Sequence, residues 1–155
     1  QEHGMRSGTE NIPAIVAMAK ALRLSFEKHE ARPEHMKTLK EALVQSLSTF
    51  DRVTIFSEGE NYAPHILCLA LEGIRGEVMV HAFEEKQIYL STTSACSSKK
   101  ESVSSTLKAM AIPSRLATSA VRISLDESNT IAEIEQFLII FRQIYQRFSK
   151  ISSQG

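Results

Sequence analysis

The sequence has few cysteines, no tryptophan and no excess of charge of either sign. Its two cysteines, Cys68 and Cys96, are too few for a disulfide framework, and neither they nor the five histidines show the spacing of a metal site. We therefore expect a reducing, cytoplasmic setting and no bound metal. The 18 basic and 18 acidic side chains cancel, which argues against nucleic-acid binding driven by bulk charge. No apolar run approaches the roughly 20 residues that span a bilayer, so we predict no membrane segment.

The 155 residues, 43% of them apolar, suit about one domain with a buried core. Residues with helical periodicity alternate with a few short strand-like runs, and this pattern predicts an α+β fold with helices packed on one face of a small mixed sheet. The predicted elements, in chain order, are helices near 9–30 and 34–49, strands 53–56 and 66–71, helix 77–85, strand 88–90, helix 103–110, strand 120–125 and a final helix after 130.

Two features of these elements allow predictions of orientation. In the helix 77–85 we expect Val78, Met79 and Ala82 to point inward. Residues 120–125 alternate with period two, so Val121 and Ile123 should face the core while Arg122 faces the other way. An arginine on the outer face of a strand is usually only solvated. The alternative is a guanidinium that holds a substrate carboxylate by two parallel hydrogen bonds.

A polar run of small residues, 91–100, interrupts this pattern and contains Cys96 between Ala95 and Ser97. A core cysteine prefers apolar neighbours, whereas this one is followed by Lys99 and Lys100, and nearby positive charge favours the reactive thiolate. Composition alone also allows an inert thiol in a surface loop. Cys68 lies in the apolar run 66–71 and is expected in the core.

The first nine residues contain two glycines, a serine and a threonine directly before a predicted helix. Polar backbone before a helix N-terminus suits an anion, and the hydroxyl of Thr9 could join such a site. The sequence is not a Walker motif, and a loop of this kind is more often a capped turn.

Four blocks, taken together and in this order, resemble cysteine desulfurases, the NifS/IscS-like members of the class V aminotransferases that use pyridoxal 5'-phosphate. The resemblance covers nearly the whole chain. The blocks are QEHGMRSGTEN at 1–11, PHIL at 64–67 with RGEV at 75–78, SACSS at 94–98, and AVRISL at 120–125 followed by Asn129-Thr130.

The resemblance implies a role for three residues. Cys96 matches the nucleophile that becomes a persulfide when L-cysteine is converted to L-alanine, and Arg122 matches the arginine that holds the substrate carboxylate. Thr9 matches a threonine that reaches the cofactor phosphate of the partner subunit, which implies a homodimer. The sulfur would then pass to an acceptor protein, for iron–sulfur cluster assembly or tRNA thiolation.

The same resemblance implies that the chain is the C-terminal part of such an enzyme. Residues 1–30 would be a loop and connecting helix from a large domain, 31–150 the small domain and 151–155 a frayed tail. The cofactor's lysine, its ring partner and its pyridine-nitrogen carboxylate would lie in the large domain. We therefore expect the isolated chain to bind no cofactor and to turn over no cysteine.

The chain departs from the family pattern at three positions and leaves other functions open. His3 stands where arginine is common, Thr93 where glycine is frequent and Cys68 where asparagine is often seen. One alternative is a selenocysteine lyase or another class V aminotransferase. A second alternative, from a different class, is a non-catalytic module for dimerisation and acceptor docking.

Overall fold

The structure, a computed structural model, describes residues 4–5, 8–27, 32–92 and 104–152. The chain divides into two compact units, residues 1–33 and residues 34–155. The described helices and strands, in chain order, are α1 (Ile12–Glu27), α2 (Arg32–Leu47), β1 (Val53–Ile55), β2 (Ile66–Leu71), α3 (Gly76–Glu84), β3 (Ser91–Thr92), α4 (Ser105–Ala109), α5 (Ser114–Ala117), β4 (Ala120–Ser124) and α6 (Ile131–Ser152).

In the first unit, helix α1 begins where the sequence predicts it. The backbone N–H of Ala14 donates to Oδ1 of Asn11 at 3.2 Å, so Asn11 is the N-cap. Pro13 follows in the first turn, where its missing N–H costs no hydrogen bond. None of the α1 residues is buried. Its large apolar side chains are therefore exposed, among them Ile15, Val16, Met18, Leu22 and Phe26.

The second unit is built on a four-stranded sheet in the order β1-β2-β4-β3. All three pairings are antiparallel. Strands β2 and β3 run in the same direction and are connected through α3, but β4 lies between them and pairs with both. The sheet therefore has no parallel pairing among the described residues, although a mixed sheet was predicted. The α+β class itself is confirmed.

The two faces of the sheet carry different layers. One face contributes Leu67, Leu69, Val121 and Ile123 to the main core, which is completed by the apolar faces of α2, α3 and α6. Helices α2, α3 and α6 thus lie on one face, where the prediction placed all helices. The opposite face carries a smaller cluster in which Ala70 and Ala120 pack against residues of α4, α5 and their connections: Leu107, Met110, Ile112, Leu116 and Ala117.

Three predictions of local structure were wrong. The strand placed at 88–90 is found at Ser91–Thr92, because those two residues pair with β4. Residues 87 and 88 instead close helix α3: Gln87 adopts a φ of 59°, and the N–H of Ile88 donates to the carbonyl of Phe83 at 3.0 Å. Helix α5 was not predicted. Met79 and Ala82 are buried as expected, but Val78 is 44% exposed and Phe83 is buried instead.

Helix α6 begins with a reciprocal cap. The N–H of Glu133 donates to Oγ1 of Thr130 at 3.3 Å, and the N–H of Thr130 donates to Oε2 of Glu133 at 2.8 Å. The helix continues through Ser152, and residues 153–155 lie outside the described part. None of the helices in the described ranges is long and apolar enough to cross a membrane.

Candidate functional site

Arg122 occupies the middle of β4, with a strand on either side. Its chain neighbours Val121 and Ile123 are buried in the main core, and Arg122 itself is exposed. The alternation predicted from the sequence is therefore confirmed. Because both neighbours are buried on a central strand, packing fixes the backbone position of Arg122.

Two in-register neighbours flank Arg122. Cys68 of β2 lies opposite it on one side, and Ser91 of β3 on the other. Residues directly opposite each other in antiparallel strands project from the same face. The structure therefore brings a thiol, a guanidinium and a hydroxyl into one row across the sheet. We refer to Cys68, Arg122 and Ser91 as the cross-strand row.

Arg122 differs in its ion pairing from four of the eight other arginines of this chain. Four arginines contact glutamate carboxylates in these pairs: Arg23–Glu27, Arg75–Glu77, Arg115–Glu72 and Arg147–Glu85. Within the described ranges, Arg122 has no such partner. The residues that surround it on its face of the sheet are neutral: Cys68, Ser91, Ala120 and Ser124. Its N–H groups are therefore open to a carboxylate from outside the described residues.

Cys68 is half-buried, and this changes its acidity. Burial raises the pKa of the Cys68 thiol to about 11, although the positive charge of Arg122 opposes part of that rise. At neutral pH the side chain is a protonated thiol, which is a poor nucleophile. The sequence assigned Cys68 to the core. It did not indicate that the thiol borders Arg122, because this depends on the pairing register of β2 with β4.

The backbone of β2 at Cys68 is fixed from the β1 side. The N–H of Cys68 donates to Oγ of Ser57 at 2.7 Å, and its carbonyl accepts from the N–H of Phe56 at 2.8 Å. Ser57 is buried and lies just beyond the end of β1, so its hydroxyl continues the pairing where the strand stops. These contacts hold the register that places Cys68 opposite Arg122.

Thr9, the predicted phosphate contact, is an exposed residue just before α1 in the first unit. It borders an open pocket of about 300 Å³ lined also by Glu10, Asn11, Ala14, Ile15 and Met18. A hydroxyl beside a helix N-terminus suits one oxygen of a phosphate. The lining includes the Glu10 carboxylate and no cationic side chain. These residues therefore suit only a small part of a phosphate site, and other residues must balance the charge of the phosphate.

Several predicted residues lie outside the described part. Cys96, Thr93 and the two lysines at 99 and 100 belong to residues 93–103, and His3 belongs to residues 1–3. Strand β3 ends at Thr92, directly before the first of these segments. Among the residues that the structure does describe, no group of three or more His, Cys, Asp or Glu side chains could hold a metal ion.

A sequence profile of the aminotransferase class-V family matches residues 1–137. The chain therefore belongs to the class-V aminotransferase family, and its α+β fold with a small antiparallel sheet is consistent with that assignment.

Individual relatives show which members of the family the chain is similar to. The chain is 52% identical, over its whole length, to a NifS/IcsS protein homolog of Lactobacillus delbrueckii subsp. bulgaricus, and covers 40% of that protein. It is 31% identical to a cysteine desulfurase of Bradyrhizobium diazoefficiens over 95% of this chain and 37% of the relative. The chain thus spans about 40% of the length of the curated relatives it matches.

Two solved structures of NifS-like proteins are similar in fold to this chain. A NifS-like protein superimposes with a TM-score of 0.76 at 32% identity, over 96% of this chain and 36% of that chain. A NifS-like protein from Rickettsia africae gives a TM-score of 0.78 at 29% identity, over 94% of this chain and 38% of that one.

Proposed function

We propose that this chain is part of a cysteine desulfurase that uses pyridoxal 5'-phosphate. The complete enzyme converts L-cysteine to L-alanine and leaves the substrate sulfur on Cys96. The observation that carries the proposal is Arg122: an exposed guanidinium without a carboxylate partner among the described residues, on the strand that pairs with β3. The names of the relatives support the same reaction class.

In this proposal Arg122 binds the α-carboxylate of the substrate. A guanidinium offers two parallel N–H donors that match the two oxygens of a carboxylate, and such charge-assisted pairs are stronger than neutral hydrogen bonds. The carboxylate-free surroundings of Arg122 favour this role, because no internal acid in the described part competes for the same donors.

Cys96 is the proposed nucleophile. Its thiolate attacks the sulfur of substrate cysteine, so one S–S bond forms and the C–S bond of the substrate breaks. The electron pair of that bond stays with the carbon, which takes up a proton to give alanine. Cys68 is unsuited to this step, because its pKa of about 11 keeps it protonated at neutral pH.

The number of residues between Ser91 and Cys96 limits how far Cys96 can lie from Arg122. Cys96 follows Ser91 by five positions, and an extended chain advances at most about 3.6 Å per residue. Its Cα can therefore lie no further than about 18 Å from that of Ser91, which pairs directly with Arg122. This limit is compatible with the proposed contact between the Cys96 thiol and a substrate held by Arg122.

Pyridoxal 5'-phosphate, when bound, supplies an electron sink for chemistry at the substrate carbons. Of the described residues only Thr9 is proposed to contact it, through one phosphate oxygen of the cofactor held by the partner subunit of a homodimer. The rest of the phosphate charge is balanced by parts of the enzyme beyond this chain. The isolated chain is accordingly proposed to be inactive.

The sulfur acceptor is proposed to be a protein of iron–sulfur cluster assembly or tRNA thiolation, and the setting is proposed to be the cytoplasm. The acceptor follows from the family resemblance, and the setting from the low cysteine content. The reaction itself can be tested without knowing the acceptor, because alanine is released whichever acceptor takes the sulfur.

The nucleophile is tested by Cys96→Ser in the full-length protein. We expect alanine and sulfide formation from L-cysteine to fall to background, since a serine hydroxyl at neutral pH is not ionised and cannot form a persulfide. The matched thiol control, Cys68→Ser, should still form the persulfide on Cys96. Sulfide release by Cys96→Ser at the wild-type rate would remove Cys96 from the reaction. A wild-type protein that forms no alanine from L-cysteine would favour the non-catalytic module.

The carboxylate contact is tested by Arg122→Ala. A hydrogen bond to a charged group contributes about 1.5–3 kcal/mol, so we expect KM for L-cysteine to rise about 10- to 100-fold. Arg122→Lys restores the charge but not the paired donors, and should recover only part of the loss. An unchanged KM in Arg122→Ala would exclude Arg122 from substrate binding.

A further inference from the structure

The pairing type brings Cys68 close to Arg122. In an antiparallel sheet the N–H and C=O of one residue point to the same side of the strand. Those of Cys68 are both engaged toward the β1 side, with Ser57 and Phe56. Cys68 and Arg122 therefore form a non-hydrogen-bonded pair, the type in which Cα atoms are about 4.5 Å apart and side chains approach most closely.

This is the position from which an internal acid would pair with Arg122 best. Opposite charges at directly opposed sheet positions attract, and this chain pairs four other arginines with glutamates. Cys68 instead presents a short side chain whose sulfur is only a weak acceptor, and whose proton stays bound at neutral pH. Ser91, on the other side of Arg122, is also small and neutral.

We propose that Cys68, together with Ser91, is a positioning residue that keeps the strand positions opposed to Arg122 free of a competing acid, so that the guanidinium stays available to the substrate α-carboxylate. This role rests on the proposed function and extends it. The two residues act through Arg122 and do not contact the reacting atoms. A neutral pair of neighbours places no competing carboxylate beside the guanidinium, and the half-buried thiol packs against the smaller cluster that contains Ala70 and Ala120.

The test is a matched pair in the full-length enzyme, Cys68→Asp and Cys68→Asn, which differ in charge and hardly in shape. The introduced carboxylate competes with the substrate for Arg122, so KM for L-cysteine should be at least about tenfold higher in Cys68→Asp than in Cys68→Asn, with similar kcat. Equal KM values in the two variants would overturn the proposal.

Two controls isolate the contact. Thr54→Asp adds the same charge to the same face of the sheet but on β1, opposite Ala70, and should raise KM much less than Cys68→Asp. In an Arg122→Ala background, Cys68→Asp and Cys68→Asn should have the same KM, because the competing pair is gone. A tenfold difference that persists without Arg122 would show that the charge acts by another route and would overturn the proposal.

A readout independent of turnover separates this proposal from the proposed function. A crystal structure of full-length Cys68→Asp should show the introduced carboxylate within about 4 Å of the Arg122 guanidinium. If wild type is inactive but this ion pair forms, the proposed function fails while the juxtaposition stands. If wild type is active but no ion pair forms, the positioning role fails alone. If Cys68→Asp does not fold, Ser91→Asp with Ser91→Asn provides the same comparison from β3.

Discussion

Helices α1 and α6 have similar apolar patterns and opposite environments. In α6 the apolar residues form part of the main core, with Ile134, Phe137, Phe141, Ile144 and Phe148 all buried. The ring of Phe141, for example, packs against the rings of three other phenylalanines. In α1 no residue is buried, although apolar side chains recur at helical spacing.

The difference shows what a periodic pattern encodes. It fixes which residues share a face of a helix, but the covering surface is supplied by other elements. Most helical stability in proteins comes from packing of that face. Helix α6 receives this stabilisation within the described residues, so equal changes in α1 and in the second unit should have unequal effects.

The largest contrast is expected between Ile144→Ala and Ile15→Ala. Ile144 is 4% exposed, and truncation of a buried isoleucine leaves a cavity that costs about 2–5 kcal/mol. Ile15 is 46% exposed, and its truncation should change the free energy of unfolding by less than about 0.5 kcal/mol. Urea unfolding of residues 1–155 measures both. Similar losses in the two variants would contradict the difference in packing.

A second contrast adds volume instead of removing it. Gly76 packs against β4 so closely that an added Cβ would lie 2.7 Å from the carbonyl oxygen of Ala120. Gly76→Ala should therefore destabilise the second unit by about 1–3 kcal/mol. Ala21→Val adds more volume at an exposed position of α1 and should cost only the difference in helix propensity, about 0.5 kcal/mol. Thermal unfolding distinguishes these results, and a tolerated Gly76→Ala would show that β4 can move away.

The smallest effects concern the helix caps. Thr130→Ala removes the cap of α6 and should lower the free energy of unfolding by about 1 kcal/mol. Asn11→Ala removes the cap of α1, and should reduce helix content with little effect on unfolding of the second unit. Circular dichroism and denaturant unfolding of both variants measure the two quantities. Equal losses of unfolding free energy would show that α1 unfolds together with the second unit.

The α6 cap also predicts a pH dependence. The backbone N–H of Thr130, and then the side chain of Asn129, lower the pKa of Glu133 from its ordinary value of 4.5. A lowered folded-state pKa means that the contribution is complete above pH 4.5 and is lost as pH falls through the lowered value. Wild type should therefore lose more stability than Glu133→Gln below pH 4.5. Equal losses of stability in wild type and Glu133→Gln below pH 4.5 would contradict this assignment.

Much of the second unit could be predicted from the sequence, because local patterns determine it. The alternation in β4 correctly placed Val121 and Ile123 in the core and Arg122 outside, and the strand predicted at 66–71 is β2. The final helix, predicted after residue 130, begins at Ile131.

The errors come from features that depend on distant partners. Ser91–Thr92 is a strand only because Arg122 and Val121 pair with it, whereas the more apolar residues 88–90 have no such partner. Cys68 and Arg122 are 54 positions apart in the chain, and the register of β2 with β4 likewise brings them together. No local pattern around Cys68 contains this information.

The central claim is that Cys96 receives the sulfur of a substrate whose carboxylate is bound by Arg122. The most direct measurement is mass spectrometry of proteolytic peptides from the full-length enzyme after brief exposure to L-cysteine without an acceptor. We predict a gain of one sulfur atom on the peptide that contains Cys96. At a cysteine concentration below the wild-type KM, the modified fraction in Arg122→Ala should be about 10- to 100-fold smaller. Sulfur on the Cys68 peptide, or on neither, would contradict the account.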